Sequence, residues 1–285
     1  MFFKESNSPK PLPTNRKQLF FELVYTKSRE WMKISLVIFL FSLPLLIWLG
    51  INSLTDSLLI SQIDEVSKDE QAQIIVNIFY RQLIKNGVSI PFYMLLATGL
   101  GAISYVARNL VWGDMNDFKA DFKKGFKENW KYSLFLGLIF GIIINSLSIM
   151  NWLIFGFQNQ LGIIIYAFIL LIFISMMVFG LAQQAVYNNK FLHLLRNSMI
   201  LTLSNLFMNI LVFLLVLSPI GLIMYFAVSL PSAIILIMLA LIGFGYITLI
   251  LTLYSHYIFD KYINAKHYPE MVNKGINNKN TNINA

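Results

Sequence analysis

The chain has no cysteine in 285 residues. That removes disulfide frameworks, thiolate metal sites and cysteine nucleophiles together. Charge is the second scarcity. Asp, Glu, Lys and Arg make up 13% of the sequence, against roughly a quarter in a soluble domain. Between Lys131 and Asp260 only Lys190 and Arg196 are charged. No soluble globule of that size covers itself with two charges, so its apolar surface faces lipid. His193 and His256 have no partner at metal-ligand spacing and read as ordinary structural histidines. The signatures GxxxxGKS/T, HExxH and GxSxG are missing. No ionisable residue stands in the middle of an apolar run, where ion-coupled transporters and voltage sensors usually carry one. The expectation is a non-enzymatic protein without cofactor, metal or catalytic residues.

What is present is apolar sequence in long runs, 57% of the chain. Runs near 20 residues match the ~30 Å hydrocarbon core of a bilayer. They predict an all-α, polytopic bundle of about six transmembrane helices, at 32–51, 89–111, 132–155, 162–187, 199–217 and 233–259. Pro44 and Pro91 fall inside spans, as membrane helices tolerate. Pro231 divides the last apolar run, Ile220 to Tyr254, which is too long for one straight span. The first run follows about thirty mostly polar residues without a small-x-small cleavage site, and reads as a retained anchor. Segment 1–31 reads as a cytoplasmic tail with a short basic interfacial helix, Leu19 and Leu23 sharing one face. Segment 52–87 reads as an outer polar insertion whose own helix ends at Asn86-Gly87, and 260–285 as a disordered cytoplasmic tail.

Lys and Arg set the orientation. Alternate sides of the predicted spans hold nineteen and three of them, with Arg108 counted in the connection after the second span. Both termini are therefore expected in the cytoplasm. Tryptophan agrees: Trp31, Trp48, Trp112, Trp130 and Trp152 all fall at predicted membrane boundaries. Trp130 and Trp152 are 22 residues apart, about 33 Å of helix.

The cytoplasmic connection 112–131, WGDMNDFKADFKKGFKENWK, is the richest segment. Asp114 reads as N-cap with Asp117 at N3. Phe118, Phe122, Phe126 and Trp130 recur every four residues, and Lys119, Lys123 and Lys127 follow on the adjacent face. The pattern fits an amphipathic helix in the membrane interface, or a docking surface for a partner. Within the spans, Asn145, Asn151, Asn205 and Asn209 are the candidate polar site. Such amides bind a solute hydroxyl or, more commonly, join helices. Gly137 and Gly141 form a small-xxx-small pair that marks close helix packing.

Three stretches carry a resemblance: GLGAISYVARNLVWGD, DFKKGFKENWKYSLFLGLIFG and LLRNSMILTLSN. In order and spacing, from Met32 to Tyr262, the chain resembles the YesL-like family of bacterial membrane proteins. The resemblance implies a multi-pass bacterial plasma-membrane protein. It also implies an accessory role beside a solute-uptake system, with carbohydrate the leading substrate class. No catalytic residues carry over. The insertion 52–87 departs from shorter relatives, which have a tight connection there. The connection DFKADFKKGFKENW lacks the Glu-Ala-Ala pattern of cassette-transporter permeases. The partners implied are the lipid bilayer and transporter subunits or a second copy of the chain, with no nucleic acid. The alternatives are an autonomous permease or channel for a small neutral solute, and a scaffold that responds to anionic lipid.

Overall fold

The structure, a computed structural model, describes residues 13–61, 68–155, 160–187, 189–226 and 232–276. Among them there is no strand. The helices are α1 (Arg16–Thr26), α2 (Ser28–Ser61), α3 (Lys68–Trp112), α4 (Phe118–Phe155), α5 (Gln160–Val186), α6 (Phe191–Ser204), α7 (Leu206–Phe226), α8 (Ser232–Met238), α9 (Phe244–Phe259) and α10 (Ala265–His267). Five segments are long and apolar enough to cross a membrane, and α6 with α7 makes a sixth, bent by 85°. Large apolar side chains point outward along these rods, among them Leu40, Ile47, Leu54, Ile164 and Leu214. Water would not tolerate so many, and lipid solvates them at no cost. The chain is a polytopic helical membrane bundle.

α3 and α4 form the central hairpin. A Cβ on Gly137 would stand 2.7 Å from the Ala97 Cβ and 2.8 Å from the Met94 Cα. The glycine therefore lets two backbones meet, as the small-xxx-small spacing predicts. α2 and α9 pack on one side of this hairpin through Ile34, Ile38, Ile103, Val106, Leu249 and Leu253. α5 closes the other side through Met177 and Leu181 against Ala97 and Leu136.

Several boundaries differ from the sequence expectation. The 52–87 stretch is largely helix, because α2 runs on to Ser61 and α3 begins at Lys68. Gly87 does not cap anything: it lies inside α3, whose 45 residues span about 68 Å at 1.5 Å per residue. That is far longer than the hydrocarbon core, so the ends of α2 and α3 extend beyond it as a helical pair, on the side opposite α1. The pair is closed by polar contacts: Lys85 to Asp56 at 3.0 Å, Gln82 to Asp56 at 3.2 Å, and the Trp48 indole to the Lys85 carbonyl at 3.1 Å.

The α4 cap is Asp117, whose Oδ2 accepts from the Ala120 amide at 2.9 Å. Asp114 instead pairs with Lys274 at 2.7 Å, after a turn at Gly113 with φ 76°. The fifth predicted span is the bent pair. Asn205 and Asn209 staple the bend, donating to the carbonyls of Leu201 and Thr202 at 2.9 and 3.0 Å. The segment from Asp260 to Ile276 is structured: a π turn, α10 and a 3-10 turn return it to the bundle. Residues 277–285 of the predicted disordered tail lie outside the described residues. α1 is held by protein. Leu19 and Leu23 are buried in the α2–α3–α9 core, and Arg16 forms a salt bridge with Asp260. The same carboxylate receives the Asn273 amide at 3.1 Å and the Asn264 side chain at 2.7 Å, so the two terminal segments meet on it.

Candidate functional site

α3 places Ser104 and Arg108 four residues apart, on one face. Arg108 is half-buried. Its Nε and Nη2 donate to Asn109 Oδ1 at 3.1 and 2.7 Å. Its Nη1 donates to the Ala185 carbonyl, which is free because α5 ends one residue later. The guanidinium lies 4.1 Å from the Tyr105 ring centroid and 4.9 Å from that of Trp112. Two aromatic faces supply part of the counter-charge. Among the described residues no carboxylate pairs with it. A guanidinium has five N–H groups and does not lose its proton. Three bonds are made, so two donors and a full charge remain.

Arg108 belongs to two cavities at once. The first, about 490 Å³, is polar; Tyr105, Glu128, Asn129, Tyr132, Gln184 and Tyr187 line it with Arg108. Its walls are tied together. Gln184 donates to the Asn129 carbonyl at 2.6 Å and accepts from Ser133 at 3.2 Å, and the Tyr132 hydroxyl donates to the Asn189 carbonyl at 3.1 Å.

The second cavity, about 340 Å³, lies between α2, α3, α4, α5 and α9. Its walls are apolar, with Ile38, Phe140, Ile174, Leu181, Phe244 and Leu251 among them. Its polar groups include Ser104, Arg108, Thr252, Ser255 and His256. The His256 Nδ1 stands 2.8 Å from the Thr252 carbonyl. That nitrogen therefore carries a proton, and in the neutral ring Nε2 is an acceptor. Nε2 and the Ser255 hydroxyl are both buried without a partner.

A larger cleft of about 840 Å³ runs between α1 and α9. Its one arginine, Arg16, is already neutralised by Asp260. Its other cation, Lys17, is exposed to solvent, whereas Arg108 is half-buried without a carboxylate partner among the described residues and is taken as the candidate site.

The residues singled out by sequence divide differently. Phe118 and Phe122 pack against the α2–α3–α9 core, with the Lys33 ammonium 5.5 Å from the Phe118 ring and Phe41 6.3 Å from Phe122. Phe126 and Trp130 remain exposed, as do Lys119, Lys123 and Lys127. The aromatic row is thus half internal and offers a partner only its second half. Asn145 donates to the Asn86 carbonyl at 2.7 Å and meets Ser89 at 3.0 Å, joining α4 to α3. Asn209 accepts from the Tyr254 hydroxyl at 2.7 Å, joining α7 to α9. Neither lines the two cavities that meet at Arg108, nor does Asn205. The side chain of Asn151 lies outside the described ones. The sequence analysis reads His256 as structural and singles out neither Arg108 nor Ser255 as a site residue. The available signal was Arg108 itself, an arginine inside the second span and four residues before Trp112.

Among the described residues, no cluster of three or more His, Asp or Glu is placed to hold a metal ion. No protein-family model, curated protein or solved structure matches the chain. Fold and site together define a class: a helical membrane bundle with an internal apolar cavity and a polar vestibule sharing one unpaired arginine.

Proposed function

We propose that this protein is a non-enzymatic, solute-handling component of the bacterial plasma membrane, with both termini in the cytoplasm. Its binding site is the pair of cavities joined at Arg108. The observation that carries this reading is that unpaired charge. An arginine near the end of a spanning helix ordinarily snorkels to water; Arg108 is instead held by Asn109 and the Ala185 carbonyl and lines both cavities. Here it has two free donors and stands between a polar chamber and an apolar one. The resemblance to the YesL-like family supports work beside an uptake system. The exposed Phe126, Trp130 and neighbouring lysines supply a docking edge for its subunits.

Tagged protein at native level, extracted in mild detergent and analysed by mass spectrometry, tests the accessory role. Transporter subunits should co-purify in fixed ratio, and Phe126→Ala with Trp130→Ala should release them. Recovery of the chain alone removes the accessory role. A second reading, an autonomous permease, rests on the meeting of the two chambers. It requires the purified protein to carry solutes across liposomes, with Ile174→Trp reducing that flux. Absence of flux over a panel of sugars and small acids retires it.

A further inference from the structure

The ligand class follows from the chemistry of the apolar chamber, given that the paired cavities are the binding site. We infer that the inner cavity binds an aliphatic carboxylate, its chain among Phe140, Ile174 and Leu251 and its head at Arg108. Four observations converge on it. The chamber is about 340 Å³, at the small end of the ligand-pocket range. That admits one chain of medium length and not a two-chain phospholipid. Its walls are mostly apolar, with the polar groups confined to α3 and α9, so a sugar would bring more hydroxyls than those groups can bond.

The polar groups are of the right kind. Two N–H donors are left on Arg108 after its three bonds, the number that a carboxylate takes up in a bidentate fork. The Ser255 hydroxyl, buried and unpartnered, can donate a further bond. The His256 Nε2, also buried and unpartnered, can accept from a bound water. An arginine that merely marked the membrane boundary would extend its head to water. This one is drawn inward by Asn109 and Ala185 and lines the apolar chamber as well as the vestibule.

A charged head also explains the second chamber. A carboxylate could enter from the polar side and present its chain inward, or leave the bilayer and present its head to the vestibule. The shared chemistry is an aliphatic chain with one carboxylate, and the two sources are separable by experiment.

The test uses the full-length protein in zwitterionic nanodiscs, with diazirine analogues of decanoate and decanol and peptide mapping of the photolabel. The acid should label peptides lining the chamber, around Phe140, Ile174 and Leu251, and unlabelled decanoate should compete. Arg108→Gln should reduce acid labelling about tenfold or more, since bonds to charged groups carry most of the head's affinity. Decanol labelling should stay within about twofold of wild type by the same reasoning. Ile174→Trp fills the chamber away from the Arg108 hydrogen bonds and should abolish both labels. It stands in if Arg108→Gln fails to fold. Competition by isovalerate, a short soluble acid, assigns the ligand to the aqueous side; its failure, with decanoate effective, assigns it to the bilayer. Equal labelling by acid and alcohol in the wild type, with both unchanged in Arg108→Gln, overturns the carboxylate assignment. If in that case Ile174→Trp still blocks both labels, the cavity reading stands and only the ligand class falls. Labels insensitive to Ile174→Trp overturn both.

Discussion

Three glycines on α3 and α4 give a graded test of the central hairpin. At Gly137, an added Cβ would meet Ala97 Cβ at 2.7 Å, Met94 Cα at 2.8 Å and the Tyr93 carbonyl oxygen at 2.9 Å. Carbon atoms pack without strain from about 3.5 Å, a shortfall of roughly 0.8 Å. Two of the three atoms are backbone and cannot rotate away, so α3 and α4 must separate locally. Overpacking of this kind costs about 1–3 kcal/mol. At Gly141 the nearest atoms are Tyr93 Cβ and Cδ2, at 3.3 and 3.4 Å. A ring that shifts by a few tenths of an ångström accommodates that methyl. At Gly87 nothing lies within 4 Å. All three positions are helical, and each alanine gains about 1 kcal/mol of helix propensity. The propensity term cancels on comparison and leaves the clash. Gly87→Ala should therefore be the most stable of the three and Gly137→Ala the least, with about 1–3 kcal/mol between them. Gly141→Ala should fall between. Apparent melting temperature in detergent, read by fluorescence-detected size-exclusion chromatography, gives the order. A Gly137→Ala protein as stable as Gly87→Ala would refute the close α3–α4 seam.

Three further outcomes follow from particular contacts. Asp260→Asn removes the charge that gathers Arg16, Asn264 and the Asn273 amide; limited trypsin digestion should then release the α1 segment faster, reflecting a loss of about 1.5–3 kcal/mol, and an unchanged digestion rate would count against the terminal clasp. Asn209→Leu breaks the links to Thr202 and Tyr254 and should lower stability by about 0.6–2 kcal/mol while leaving decanoate labelling intact; lost labelling with intact fold would return Asn209 to the site. The native chain has no cysteine, so single-cysteine variants report orientation directly: Asn77→Cys should react with an impermeant maleimide in intact cells and Lys266→Cys only after lysis, and the reverse pattern would invert the proposed topology.

The membrane character was legible because hydropathy needs no tertiary information: a run near 20 apolar residues has one comfortable solvent. The continuity of the helices was not. Asn86-Gly87 has the composition of a C-cap, yet a cap requires the glycine to turn left-handed, and Gly87 stays helical within α3. Sequence alone cannot choose between those states when the helical cost of glycine is only about 1 kcal/mol. The 85° bend between α6 and α7 was equally hidden, since neither glycine nor proline stands at Asn205. The asparagines were recognised as polar residues in lipid. Which of them line a cavity is decided by helix rotation, and the fold turns Asn145 and Asn209 into joints.

Arg108 was hidden for a related reason. In a topology count it is one more positive charge near a cytoplasmic boundary, and that count is satisfied without asking where the side chain points. Its meaning depends on α9, which arrives about 150 residues later in the sequence and sets Ser255 and His256 against the same chamber. α9 is bracketed by π turns at Leu239–Gly243 and Asp260–Asn264. Each π turn holds an extra residue and rotates the following face by about a quarter turn or more relative to an uninterrupted helix. A 3.6-residue periodicity read straight through Leu239 therefore loses the face that carries Ser255 and His256. The Leu239 carbonyl accepts the Phe244 amide within the first π turn and also the Ser35 hydroxyl at 3.1 Å, which ties this turn to α2. Such turns are weaker than regular helix and persist where packing or a site requires them. Only the first precedes Ser255 and His256, so it is the turn at Leu239–Gly243 that both breaks the sequence pattern and sets the face on which they line the chamber.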